Sequence, residues 1–467
     1  MEPMKPEAGS KETDAKLSTA APAGLRPDAI GLLGVLMQGI AHTAPATAIL
    51  LTLQVTASHA GRVAPLAYLI ALLIMLMLGI SLTQLARHMP SSGGYYTYVS
   101  RTVGPRAGFL TAWLFFLYTA LTPAFSLAMM GWVLESALKS EYGITFPWWV
   151  FLLLGGAFTY WATYRRIVVS AAALTVLGLM EMGIVVLLAV WGLVAPGPGG
   201  INLASFNPAY APSGNGLYLG IIFSLFAMTG WEGVVPLAEE SKNPRRVVPR
   251  AIVYTILIMG AYLVFTSWGI VIGWGTNDLG ALLASKELPL FALARRFWGP
   301  GWIVIMFALL NSMLAVAVAS SLVSTRMWYA MARTGALPSA LAAVHSRHDT
   351  PVNAVIIQAV VTIVGGLALG LSLGPDQAFY VMGTVLTLAL ALIYSAGNLG
   401  VFLLYRRRGA EFRPILHAIF PLLSTVAVIW VAWKSIVPLP PPPLAYAPVI
   451  LGLWLFAGIT FLIVSKS

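Results

Sequence analysis

"GIAHTAPATAILL", residues 39–51, lies inside a long apolar run, yet it sets a histidine, two threonines and a proline where lipid tails would be expected. The run around it, 30–58, is longer than the roughly 20 residues that cross a bilayer as a helix. A second fault of the same kind, "FAMTGWEG" at 226–233, interrupts another apolar run further on. Irregular backbone at membrane depth survives only where it is buried in protein or lines a cavity. Two interrupted spans separated by intact ones therefore predict a substrate site between the breaks, at the midplane of two inverted structural repeats.

The composition fixes the setting. The 467 residues are 59% hydrophobic and only 9% charged, far from the roughly 25% of soluble domains. The fold class expected is an all-α integral membrane protein, because barrels carry weaker, alternating segments. Twelve transmembrane helices fit the hydropathy: 30–58, 63–86, 105–137, 147–164, 167–194, 215–240, 248–274, 301–333, 352–371, 377–404, 414–435 and 444–464. The domain reading is a disordered cytosolic tail over 1–28, a first inverted repeat over 29–196, a second over 197–408, and two further spans in 409–467.

Charge sets the orientation. With a cytosolic N-terminus, 21 of the 27 basic residues fall inside, leaving Arg62, Lys139, Lys286, Arg295, Arg296 and Lys434 outside, so both termini are expected in the cytosol. The inner set includes Lys5, Lys11, Lys16, Arg166 and Lys466. The net charge of +11 is thus topological. No soluble basic face is visible for nucleic acid. With no cysteine, disulfides and thiolate metal sites do not arise. The partners expected are the lipid bilayer and a small-molecule substrate, an amino acid or amine. No cofactor is expected.

At the first break Pro45 suits the opening position of a new half-helix, which makes Ala44 its cap. Alanine offers no acceptor, so the N–H groups of Ala46 and Thr47 should stand free at a positive helix end and could receive a carboxylate. Thr43, His42 or water satisfying them, with Pro45 as a kink, is the alternative. At the second break Gly230 permits unwinding, and the carbonyls of Phe226, Ala227 and Met228 should end unpaired, facing an ammonium group. The substrate-binding set is then Ile40, Ala41, His42, Thr43, Ala44, Ala46 and Thr47 with Phe226, Ala227, Met228, Gly230 and Trp231. Trp231 fits either a pocket wall or packing. Thr229 and Glu232 have the spacing of a capping box that would start the second half-helix.

Glu181 sits mid-span in "LTVLGLMEMGIVVLL", with apolar neighbours and no cap to make. An ionised carboxylate there costs several kcal/mol, so it should be protonated much of the time or face a polar partner. A carboxyl alternating between dry and wet surroundings is a proton carrier; a neutral acid bonded to a backbone carbonyl is the alternative. His42 fits the same coupling or a hydrogen bond to unwound backbone. Ser320, Ser321 and Ser324 are the candidates for a sodium site, with the proton preferred as coupling ion. Glu239 and Glu240 fit an inner gate closed by Arg87 or Arg101, or a solvated charge cluster.

"PSSGGYYTYVSRTVGPRAGFLTAW" (90–113), "GWEGVVPLAEESKNPRRVVPRAI" (230–252) and "RMWYAMARTGALP" (326–338) resemble signatures of the amino acid–polyamine–organocation superfamily of transporters. The resemblance implies a LeuT-like 5+5 inverted repeat plus two helices, alternating access, and a substrate bearing carboxylate and ammonium groups. It also implies a bacterial inner membrane. Some members carry a midplane lysine in span five that takes part in proton coupling, and Glu181 falls at a similar place with opposite charge. The family's first break is glycine-rich, whereas this one reads "HTAP", and Thr334 stands where an aspartate is usual. The function expected is proton-coupled uptake of an amino acid, with a polyamine or amine transporter or an exchanger as alternative, and a non-transporting sensor after those. No nucleophile–base pair or metal-ligand cluster is apparent, so no enzyme is expected.

Overall fold

A computed structural model describes residues 24–165, 167–276 and 288–464. Lys5, Lys11, Lys16, Arg166, Lys286 and Lys466, and residues 1–23 of the expected tail, lie outside the described residues. Residues 24–28, assigned to that tail from sequence, are described, and Leu25 is buried.

Among the described residues the chain is all helical, with two isolated β-bridges. The helices are α1 (Leu32–Thr43), α2 (Pro45–Ala60), α3 (Ala64–His88), α4 (Tyr95–Thr102), α5 (Pro105–Tyr142), α6 (Trp148–Tyr164), α7 (Ile167–Val194) and α8 (Gly214–Ala227). A 3-10 segment, Trp231–Glu240, comes next. Then come α9 (Pro244–Trp274), α10 (Pro289–Trp298), α11 (Ile303–Arg333), α12 (Val352–Leu373), α13 (Pro375–Arg408), α14 (Phe420–Lys434) and α15 (Tyr446–Val464). Proline opens α2, α5, α9, α10 and α13, where its missing N–H has no partner to lose and its φ is already helical. Gly143 closes α5 in the left-handed conformation, donating to the carbonyls of Leu138 and Lys139.

Ten stretches among the described residues are long and apolar enough to cross a membrane. Burial sorts them. In α5, 89% of the most apolar window is buried against 17% in α15, which places α5 at the centre and α15 on the rim. α5 packs on α4, α6, α11, α12 and α13, α3 packs on α9, and α2 on α8. Large apolar side chains such as Val194, Leu371 and Phe456 stay exposed on the outer helices, a surface that only lipid would cover without cost. Ile30 donates to the carbonyl of Glu240 at 3.1 Å and accepts from Lys242 N–H at 2.8 Å. That bridge ties the start of α1 to the end of the 3-10 segment.

Candidate functional site

The first interruption is one residue wide. A residue preceding proline is pushed out of the right-handed helical region, and Ala44 takes φ 56° and ψ 72°. Its N–H still closes α1, onto the carbonyls of Ile40 and Ala41 at 3.1 Å each. The second interruption is wider. α8 ends at Ala227, Gly230 takes φ 114°, and the chain resumes as a 3-10 helix with Pro236 inside it. A Cβ at Gly230 would come within 2.5 Å of the His42 carbonyl oxygen, so the two breaks touch backbone to backbone.

Between them lies a cavity of about 70 Å³, room for a few waters. His42, Thr43, Ala44 and Thr47 line it from the first break, and Phe226, Ala227 and Thr229 from the second. Ile40, Ala41, Ala46, Met228, Gly230 and Trp231, also expected at the site, are not among the residues that line it. The remainder of the lining comes from α2, α5, α11 and α13: Ala48, Leu51, Thr52, Tyr118, Thr122, Phe125, Ser126, Val316, Phe379 and Leu386. The α5 group was missed in the sequence, although Tyr118, Thr122, Phe125 and Ser126 repeat at helical spacing with three hydroxyls on one face. No Asp, Glu, Lys or Arg is among the lining residues.

Several expected loose ends are tied. The Thr47 N–H, expected to stand free, donates to Ser312 Oγ at 3.1 Å, because α11 passes close enough to supply the acceptor alanine lacks. The Phe226 carbonyl, expected unpaired, accepts from Thr229 N–H at 3.1 Å and from Thr229 Oγ1 at 2.9 Å. The capping box is not formed as read. Thr229 turns back onto α8, and Glu232 Oε2 accepts from the N–H of Gly230, the residue that caps the 3-10 segment, at 3.2 Å. A 3-10 turn is shorter by a fraction of a residue, which moves the cap from Thr229 to Gly230. Glu232 is fully buried, and its Oε2 also accepts from the Tyr394 hydroxyl at 3.0 Å. Trp231 stacks on Tyr394 with ring centres 5.6 Å apart, the packing reading of that residue.

His42 is buried, and its Nδ1 lies 2.9 Å from the Gly230 carbonyl oxygen. A carbonyl only accepts, so Nδ1 carries the proton. Glu181 is fully buried and accepts from Asn311 Nδ2 at 2.8 Å; the Ser312 side chain lies beside the same carboxyl. Glu181 thus sits outside the cavity, one hydroxyl away from Thr47. Ser320 and Ser321 are buried with hydroxyls that bond to no described group, while Ser324 donates to Gln358 at 2.6 Å.

On the far side of the 3-10 segment, Glu240 pairs with Arg326, not Arg87 or Arg101, through bonds of 2.8 and 3.2 Å with both side chains buried. Glu239 accepts from Ser92 N–H and Oγ at 3.1 and 2.8 Å and from Arg333 at 2.7 Å. The acids are held by the C-terminal part of α11 and the loop before α4. Thr334 is paired with Tyr96, hydroxyl to hydroxyl, at 2.9 Å.

The sequence is 27% identical over 417 residues to the low-affinity putrescine importer PlaP of Escherichia coli, covering 86% of this chain and 87% of that protein. It is 22% identical over 446 residues to the branched-chain amino acid permease BcaP of Lactococcus lactis, covering 87% of each. Against BcaP of Bacillus subtilis it is 27% identical over 306 residues, 62% of this chain and 64% of that one. The family described as amino acid permease matches residues 34–438. An all-helical chain with paired breaks around an uncharged cavity, matched over most of its length, belongs to the amino acid permease family, a family of transporters and not of enzymes.

Proposed function

We propose that the protein is a secondary active transporter taking up an amino acid with protons by alternating access. One observation carries this reading: the cavity lies between the two interrupted helices, and Ser312, which accepts from Thr47 in its wall, stands beside the buried carboxyl of Glu181. Because Ser312 already accepts the Thr47 N–H, its own proton needs an acceptor, which an ionised Glu181 supplies. A protonated Glu181 brings a donor instead. The state of the carboxyl is thereby felt at the break through a single hydroxyl. One charge moving down 100 mV supplies about 2.3 kcal/mol.

In this reading the chain crosses twelve times. The stretch Leu32–His88 contains two crossings, α1 with α2 and then α3, and the 17-residue α6 adds another to the ten stretches above. The breaks at Ala44 and Gly230 occupy matching places in two inverted halves, 29–196 and 197–408. The bias of basic residues supports both termini on the cytosolic side, and the family resemblance supports a bacterial inner membrane.

The apolar lining of Leu51, Phe125, Val316 and Phe379 suits an apolar side chain, in keeping with relatives named as branched-chain amino acid permeases. A second reading, an amine such as the putrescine of the other relative's name, is favoured by the Thr47 N–H being taken and by the lack of a cationic lining residue for a carboxylate. Uptake of labelled leucine and putrescine into proteoliposomes, with and without an acid-outside gradient, tests both. Accumulation of neither would sink the substrate reading. In Glu181→Gln we expect stimulation by the gradient to vanish while exchange persists; unchanged stimulation removes Glu181 from coupling. Replacing sodium by potassium should leave uptake unaltered, and a sodium requirement would shift attention to Ser320 and Ser321.

A further inference from the structure

The hydrogen bond from His42 Nδ1 to Gly230 leaves the other edge of the ring unexplained. In a neutral imidazole with its proton on Nδ1, Nε2 is a bare lone pair. His42 Nε2 is buried and has no hydrogen-bond partner, although the residue lines the cavity. Buried polar atoms are rarely left so, and one beside a cavity points to a missing donor. Thr47 Oγ1, on the same wall, is a second buried atom without a partner. The cavity lining has no carboxylate, so a cation within it is held by neutral groups, aromatic faces and lone pairs, and of these only a lone pair can accept its N–H.

We propose that His42, fixed as the Nδ1–H tautomer by the Gly230 carbonyl, presents Nε2 as the acceptor for the ammonium group of the transported substrate, with Thr47 Oγ1 as a second acceptor. This rests on the reading of the cavity as the substrate site, and it names the group shared by an amino acid and an amine. The surroundings hold the ring to that task. A Cβ at Gly233 would overlap Nδ1, Cγ and Cε1 of His42, so glycine there is what lets the imidazole lie against the 3-10 segment. The Tyr118 ring, 5.4 Å from it between centres, closes the α5 side. The two glycines of "GWEG" thus have separate duties: Gly230 bends the chain and fixes the tautomer, and Gly233 seats the ring.

The test uses the full-length protein in detergent or nanodiscs, with leucine and putrescine as probes. His42→Asn keeps an amide N–H near the Nδ1 position for Gly230 and removes the acceptor at Nε2. We expect it to fold with near wild-type thermal stability and to bind whichever probe the wild type binds about 10- to 100-fold more weakly, the range of a hydrogen bond to a charged group. Because the chain has only 6 histidines, ¹⁵N-histidine labelling reports the ring in the unaltered protein. We expect one Nε2 resonance typical of a bare lone pair, moving when the probe saturates. Wild-type binding with unchanged affinity in His42→Asn, or saturation without movement of that resonance, overturns the His42 assignment alone. Binding of neither probe by the wild type overturns the substrate reading, and this inference with it.

Discussion

At Ala44 the chain is interrupted by what the next residue forbids, whereas at Gly230 it is interrupted by what the residue itself permits. Pro45 denies its predecessor the helical region, and both flanking halves remain regular α-helix. Gly230 adopts a backbone that side-chain-bearing residues rarely take, and the chain continues from it as a 3-10 helix capped by its own glutamate. The first break is therefore narrow and held from outside by Ser312, while the second is broad and held from within by Glu232.

The sharpest way to break this contrast is Gly230→Ala. Left-handed strain and overlap with the His42 carbonyl together should cost about 2 to 5 kcal/mol, read as a drop in melting temperature and loss of uptake. A variant that transports normally would show that the second break tolerates another backbone.

Ser312→Ala should act on the first break more mildly and selectively. Freeing the Thr47 N–H gives a carboxylate a donor, so leucine binding should tighten by about 3- to 10-fold relative to putrescine, measured by competition. Equal change for both ligands would mean that the N–H does not face the substrate.

Ala44→Gly should raise stability by roughly 0.5 to 1 kcal/mol, since relief of left-handed strain outweighs the added freedom of the unfolded chain. Thermal unfolding checks it, and a loss of stability would mean that Ala44 carries no strain. The smallest effect is expected from Thr229→Val, below about 1 kcal/mol, because its hydroxyl only doubles a bond its own N–H already makes to Phe226. A loss of the size seen for a true N-cap, roughly 1 to 2 kcal/mol, would restore the capping-box reading.

Legibility tracked the range of the interaction. Proline and glycine act on their own backbone, so the breaks at Pro45 and Gly230 could be read from "HTAP" and "MTGW". Whether the chain after Gly230 becomes α or 3-10 depends on its packing against α1 and α9, and so the expected box at Thr229 was displaced. Glu181 advertised itself by its cost, but its partner Asn311 lies 130 residues away and carries no local sign of the pairing. The same holds for Glu240 and Arg326, and for Thr334, whose departure from the family pattern is matched by Tyr96.

By itself, the sequence determined that the chain enters a membrane as helices and where two of them fail, because apolar run length and the φ restrictions of proline and glycine are local properties. Which face of α5 meets the breaks, which hydroxyl takes the Thr47 N–H and which nitrogen of His42 keeps its proton were decided only in three dimensions. Each depends on an acceptor or a wall delivered by a segment far along the chain, and only packing brings such a segment within the 3 Å or so over which a hydrogen bond acts.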